Sequence, residues 1–76
     1  MDIKTIPEAE KTALYFRALK QGESLMPCDV AKIIGKTRVK KYGIEESKKT
    51  VIEIMERCGF YCDDADASFA LETVLY

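Results

Sequence analysis

The chain has 76 residues, a formal net charge of −1, 47% hydrophobic residues and 33% charged residues. A chain of this length makes one domain of modest stability, because it buries only about 60% of the surface that its unfolded form exposes. The composition is too apolar for intrinsic disorder. The sequence has no apolar run of about 18 residues, and residues 1–4 lack the basic-then-apolar order of a secretion signal. We therefore expect a cytoplasmic protein without a membrane span.

The cysteines and the lack of histidine exclude several kinds of chemistry. Cys28, Cys58 and Cys62 are odd in number, whereas small secreted scaffolds carry even and denser cysteine sets. We interpret them as small buried apolar residues, and a redox pair of Cys58 and Cys62 is the less favoured alternative. A chain without histidine can form neither a Ser-His nor a Cys-His nucleophilic site, and the usual zinc ligand sets are missing. The sequence predicts a protein that is not an enzyme and that needs no metal or cofactor.

Charge is distributed unevenly along the chain. Residues 1–24 are neutral, with four bases and four acids. Residues 25–49 carry seven bases against three acids, a net charge of +4, and residues 50–76 carry one base against six acids, a net charge of −5. A positive middle followed by an acidic end indicates a polarised surface, which can orient a partner without a large total charge.

The first predicted helix spans residues 6–20. Thr5 and Glu8 fit a capping box at its start, and Pro7 suits the first turn, where its missing N–H is harmless. Gly22 follows the helix and tolerates the left-handed conformation in which many helices end. We interpret this helix as scaffold.

A second, short helix is predicted to begin at Pro27 and to end at Gly35. Between them, Val30, Ile33 and Ile34 recur at helical spacing. The segment is amphipathic and fits a helix of about two turns.

Residues 25–35 resemble the second helix of many winged-helix regulators. In those proteins a leucine leads into a helix built around Asp-Val-Ala, which here is Asp29-Val30-Ala31, and the helix ends at a glycine, here Gly35. Met26 departs from the resemblance, since such domains often place a serine or threonine cap there. Residues 24–76 as a whole show the order of a winged helix-turn-helix domain: short helix, basic turn, longer helix and closing ribbon. The resemblance implies a DNA-binding fold.

Residues 36–42 are predicted to form a basic loop between the second and third helices. Lysine and arginine on such a loop neutralise backbone phosphates without reading bases, and a tyrosine hydroxyl can donate a hydrogen bond to a phosphate oxygen. A solvated loop without a ligand is the alternative interpretation. The predicted phosphate contacts are Lys36, Arg38, Lys40, Lys41 and Tyr42.

The third predicted helix spans residues 44–58. One side is expected to face the core and carries Ile44, Ser47, Val51, Ile54, Met55 and Cys58. In a winged helix this element lies in the major groove. Its outward residues include Lys48, Lys49 and Thr50, which are predicted to approach DNA, but also four carboxylates that oppose such an approach.

A two-stranded ribbon is predicted after Gly59. Residues 60–62 form one strand and residues 68–76 the other, because Phe69 and Leu71 begin an alternation typical of strands. The intervening aspartates, Asp63, Asp64 and Asp66, would lie in an acidic wing.

The sequence thus predicts an α+β, mainly helical fold: one domain of residues 1–76 with three helices and a C-terminal β-hairpin. Two functions remain open. The first is a small transcriptional regulator that binds double-stranded DNA, as a homodimer if Leu75, Tyr76 or the first helix supplies a contact. The second is a protein-interaction module, an adaptor or inhibitor, that presents its acidic third helix and wing to a basic partner. The candidate DNA-binding residues are Lys36, Arg38, Lys40, Lys41, Tyr42, Lys48, Lys49 and Thr50.

Overall fold

The computed structural model describes residues 5–76, and this part of the chain is helical throughout except for its connections. Residues 1–4, on which part of the expectation of a cytoplasmic protein rests, lie outside the described residues. The elements in chain order are α1 (Glu8–Leu19), a 3-10 turn (Gly22–Ser24), α2 (Pro27–Tyr42), α3 (Ile44–Arg57) and α4 (Asp64–Leu75).

The first helix is confirmed, but its expected capping box is wrong. Pro7 occupies the N-cap position, and no side chain caps the first turn. The chain entering α1 is instead tied to α3, because the backbone N–H of Ile6 donates to Glu46 Oε2 at 3.0 Å. This bond fixes the start of α1 with a partner 40 residues away, and Ile6 itself is buried.

The basic segment predicted as a loop is the second half of α2. Gly35 has φ 86 and ψ 151, which interrupts the helix without ending it, so α2 consists of residues 27–34 and residues 36–42. The second half of α2 (residues 36–42) is anchored by Val39, which is buried, and it ends where the Gly43 N–H bonds to the Val39 carbonyl at 2.9 Å. Glycine supplies the positive φ at both joints.

The third helix is confirmed, but its predicted core face is wrong at both ends, because Ile44 is 43% exposed and Cys58 is half-buried beyond the last helical residue. It begins directly after Gly43, and its buried face contains Ser47, Val51, Ile54 and Met55, as the helical spacing predicted. Glu45 and Glu46 lie in its first turn, where the helix macrodipole favours negative charge.

The predicted C-terminal hairpin is wrong, because residues 64–75 form a helix and residues 5–76 contain no β-strand. Asp63 is the N-cap, and its side chain accepts a hydrogen bond from the Asp66 N–H at 2.9 Å. Ala67, Ala70 and Leu71 recur at helical spacing and are fully buried. The fold is therefore all-helical, and the protein has no wing in the part of the chain that the structure describes.

The helices pack around one core. α4 packs mainly on α2 and α3, and α1 packs on the same two helices, so α2 and α3 form the centre of the domain. The largest fully buried side chains come from all four helices and include Leu14, Ile34, Ile54 and Leu71. Across residues 5–76 every helix is too short or too polar to span a bilayer.

Candidate nucleic-acid interface

The exposed side of the second half of α2 is basic. At 3.6 residues per turn, Lys36, Lys40, Thr37 and Lys41 fall within an arc of about 140°, and all four are exposed. Val39 lies on the opposite side and faces the core. We call these four exposed residues the basic arc. It presents three ammonium groups and one hydroxyl to solvent on a seven-residue segment.

Helix stability accounts for only part of the basic arc. Lys40 and Lys41 lie in the last turn of α2, where cations are favoured by the macrodipole by about 0.3–1 kcal/mol each. Lys36 is different, because it is the first residue after the break at Gly35 and lies where a new helical segment begins. A cation at that end opposes the dipole. The position of Lys36 therefore has no explanation in local stability.

A cleft of about 540 Å³ lies beside the basic arc, between α1 and the break in α2. Its charged lining comes from both helices and comprises four cations and one carboxylate. The cleft is open to solvent along its length and is therefore suited to a ligand that remains partly hydrated. The charged lining residues are Glu10, Arg17, Lys36, Arg38 and Lys41.

Glu10 is the hydrogen-bonding centre of this cleft. Its carboxylate accepts from Arg38 Nε at 3.1 Å and from the Tyr42 hydroxyl at 3.3 Å. Arg38 Nη1 also donates to the Ile34 carbonyl at 3.2 Å, across the break in α2. Arg38 thus joins the two halves of α2 to each other and to α1.

Tyr42 and Lys41 form a second contact at the edge of the cleft. The Lys41 ammonium lies 5.2 Å from the centre of the Tyr42 ring, within cation–π distance. The contact is at the surface, where such pairs contribute about 0.5–1 kcal/mol. It holds the Lys41 side chain over the cleft.

The structure brings five of the eight predicted residues together and separates three of them. Lys36, Arg38, Lys40, Lys41 and Tyr42 all belong to the second half of α2, and four of these line the cleft. The three predicted on α3 are Lys48, Lys49 and Thr50.

Of the three predicted α3 residues, Lys49 is the exposed cation that makes no ion pair among residues 5–76. Lys48 is paired with Glu45 at 3.4 Å. Thr50 is 1% exposed, and its hydroxyl donates to the Glu46 carbonyl at 3.0 Å, so it lies in the core and is not available to a base edge. We leave Thr50 out of the interface.

Glu10 and Arg17 belong to the site although the sequence analysis treated α1 as scaffold. The two residues are seven apart, which places them on the same stripe of a helix, two turns from each other. That spacing is a sequence signal for a shared face. It does not reveal which element faces the stripe, and this information comes from the packing of α1 on α2.

The acidic end of the chain has a structural role at the start of α4. Asp63 caps the helix, and Asp64 and Asp66 lie in its first turn, where negative charge is favoured by the macrodipole. Within residues 5–76, no three acidic or thiol side chains are arranged to hold a metal ion.

Two thiols, those of Cys58 and Cys62, lie next to this acidic segment, and the pKa of each is raised. Burial raises the pKa of the Cys58 thiol. Burial also raises the pKa of Cys62, and the negative charges of Asp66 and Asp63 raise it further. A raised pKa keeps a thiol protonated at neutral pH, so the reactive thiolate is scarce. Cys62 is buried, as expected, whereas Cys28 and Cys58 are half-buried.

Comparisons of the chain with protein-family models, with curated proteins and with solved structures find no match.

Proposed function

We propose that the protein binds the phosphate backbone of double-stranded DNA through the basic arc. The observation that supports this most directly is the exposure of Lys36, Lys40 and Lys41, none of which forms an ion pair within residues 5–76. A surface lysine without an ion pair can neutralise a DNA phosphate, and the release of the cations condensed on the DNA then drives association.

The proposal concerns backbone contact and does not include base reading. On the face that was expected to enter the major groove, Thr50 is buried and Lys48 is paired with Glu45. Within residues 5–76, the exposed cations of α3 without an ion pair are Lys49 and Arg57, and Arg57 lies over the Tyr15 ring. Contacts with phosphate position a protein on DNA but carry no sequence information. The cytoplasmic location expected from the sequence belongs to the same proposal, since the protein must have access to DNA.

The test is fluorescence anisotropy of labelled random-sequence duplex DNA across a salt series. The variant replaces Lys36, Lys40 and Lys41 with glutamine. The logarithm of the binding constant falls linearly with the logarithm of salt concentration, and each lost phosphate contact reduces the slope by about 0.9. We expect the variant to bind weakly, with a much flatter salt dependence than the wild-type protein.

A matched variant removes the same charge elsewhere. It replaces Lys11, Lys48 and Lys49 with glutamine, which takes three cations from α1 and α3. Circular dichroism first establishes that both variants are folded. Wild-type affinity in the basic-arc variant would disprove the proposal, and a loss confined to the matched variant would move the interface to α3.

A protein-interaction module is the second candidate, supported by exposed aromatic residues on and directly after α4. Phe69 on α4 is 64% exposed, and Tyr76, which follows the last residue of the helix, is 99% exposed. Exposed aromatics near charged residues are typical of protein interfaces. If folded protein shows no DNA binding at low salt, this candidate is favoured. A Phe69→Ser variant should then lose a partner, or a second copy of the chain, that wild-type protein retains.

A further inference from the structure

Arg38 is at the surface, and two of its three side-chain nitrogens already donate hydrogen bonds within the protein. The side chains of Glu10 and Arg38 are 36% and 37% exposed, so a solvent-borne ligand can reach the pair. Nε is held by Glu10 and Nη1 by the Ile34 carbonyl. Of the predicted phosphate-binding residues on the second half of α2, Arg38 is the cation that an internal anion holds.

Carboxylate and phosphate compete for the same face of a guanidinium group. Both accept hydrogen bonds from its fork of N–H donors, and both gain from its positive charge. An exposed ion pair of this kind is weak, with a typical contribution of about 0–1 kcal/mol. Separating Glu10 from Arg38 therefore costs little free energy. Glu10 is the carboxylate that competes with a phosphate for Arg38.

From these contacts we propose that Glu10 limits the affinity of the protein for DNA by withholding Arg38 from phosphate. This inference rests on the proposed function, because it assumes that phosphate approaches the basic arc. Arg17, Lys36 and Lys41 line the same cleft, so a phosphate on a released Arg38 would lie among three further cations. Glu10 then limits the affinity for DNA. The wild-type protein contacts fewer phosphates than it would if Arg38 were available to them.

The first experiment compares Glu10→Gln with Glu8→Gln in the same DNA-binding assay. Glutamine at position 10 removes the charge and keeps an oxygen that can accept from Tyr42. Glu8 is exposed in the first turn of α1, so its replacement removes an equal charge from the same helix. We expect Glu10→Gln to bind DNA more tightly and to steepen the salt slope by about 0.9, the value for one added phosphate contact. Glu8→Gln should leave the slope unchanged.

The second experiment places Arg38→Gln in both backgrounds. If Glu10 withholds Arg38, this substitution changes the salt slope little in the wild-type background. In the Glu10→Gln background it should abolish the added contact and return the slope to the wild-type value. Thermal unfolding of each variant checks that a loss of binding does not reflect a loss of the fold.

The outcomes separate the inference from the proposed function. If the basic-arc variant loses DNA binding while Glu10→Gln has the slope of the wild-type protein, the inference is wrong and the proposed function stands. An equal effect of Arg38→Gln in both backgrounds also overturns the inference, since Arg38 would then contact phosphate regardless of Glu10. Absence of DNA binding by both the wild-type protein and Glu10→Gln would remove the basis of both proposals.

Discussion

The second half of α2 and the first turn of α4 are both dense in charge, but their charges have different roles. Asp63 is hydrogen-bonded to the backbone of α4, and the acids that follow it lie at the end of the helix dipole that favours them. The lysines of the basic arc form no ion pair among residues 5–76. The dipole favours Lys40 and Lys41 in the last turn of α2, whereas Lys36 lies at the disfavoured end of its segment. The comparison shows that a cluster of charges is evidence for binding only where helix capping and the helix dipole do not already explain the charges.

The two segments also differ in how the core holds them. α4 is attached by Ala67, Ala70 and Leu71, which are fully buried, whereas the second half of α2 has one buried residue, Val39, and two half-buried residues, Arg38 and Tyr42. Most of the side chains of the second half of α2 are therefore free to meet a ligand. The substitutions below test this difference, in order of decreasing effect on stability.

The largest effect is expected at Leu71. Leu71→Ala removes a side chain that is 0% exposed and should lower the free energy of unfolding by about 2–5 kcal/mol. Phe69→Ala, two residues away, should change it by only about 0.5 kcal/mol, as is usual for surface substitutions. Urea denaturation measures both. A hairpin would have placed these two side chains on the same face, so equal losses would contradict the helical assignment of α4.

The second effect concerns the joint inside α2. Gly35→Ala places a Cβ where no atom lies within 4 Å, so any cost arises from the backbone conformation at φ 86. We expect a loss of about 1–3 kcal/mol, typical of a residue held in a conformation reserved for glycine. The midpoint of urea unfolding checks this, with Thr37→Ala as an exposed control in the same segment. An unchanged midpoint for Gly35→Ala would mean that the break in α2 is not required for stability.

The smallest effects on stability are expected when one charged residue of each segment is replaced by alanine. Asp63→Ala should cost about 0.5–2 kcal/mol, because it removes the N-cap of α4. Lys36→Ala should stay within about 0.5 kcal/mol, since its side chain is exposed and makes no ion pair within residues 5–76. Thermal melts of both variants give the comparison. If Lys36→Ala were the more damaging, the basic arc would have a structural role that its contacts do not show.

The sequence predicted an element correctly where the spacing of its apolar residues fits one type of secondary structure and no other. In α3, the set Ser47, Val51, Ile54 and Met55 fits a helix and does not fit a strand. In α4, the alternation that begins with Phe69 and Leu71 coincides with a helical set in which two positions are alanines, and small core residues give a weak signal. The prediction of a strand was wrong because large side chains were weighted over small ones.

The residues of the candidate interface that lie on one segment were predictable from the sequence. The residues that a second helix adds to it were not. The cations of residues 36–42 were found by charge alone, but their helical state was not, because only Val39 marks a buried face in a segment of seven residues. Thr50 was assigned to the outer face of α3 although it lies only about 40° from Ile54 at helical spacing. The role of Glu10 follows from tertiary packing and has no signal of its own in the sequence.

Residues 36–42 can be redesigned as a unit, because a glycine bounds the segment at each end. Gly35 and Gly43 have nearly the same backbone conformation, with φ 86 and ψ 151 in one and φ 92 and ψ 162 in the other. A designer who keeps both glycines, Val39, Arg38 and Tyr42 retains the backbone geometry at both ends, the buried anchor and the hydrogen bonds to Glu10 and to the Ile34 carbonyl. The four exposed positions between the glycines can then be replaced to change the charge of this surface, while the remainder of the chain stays unchanged.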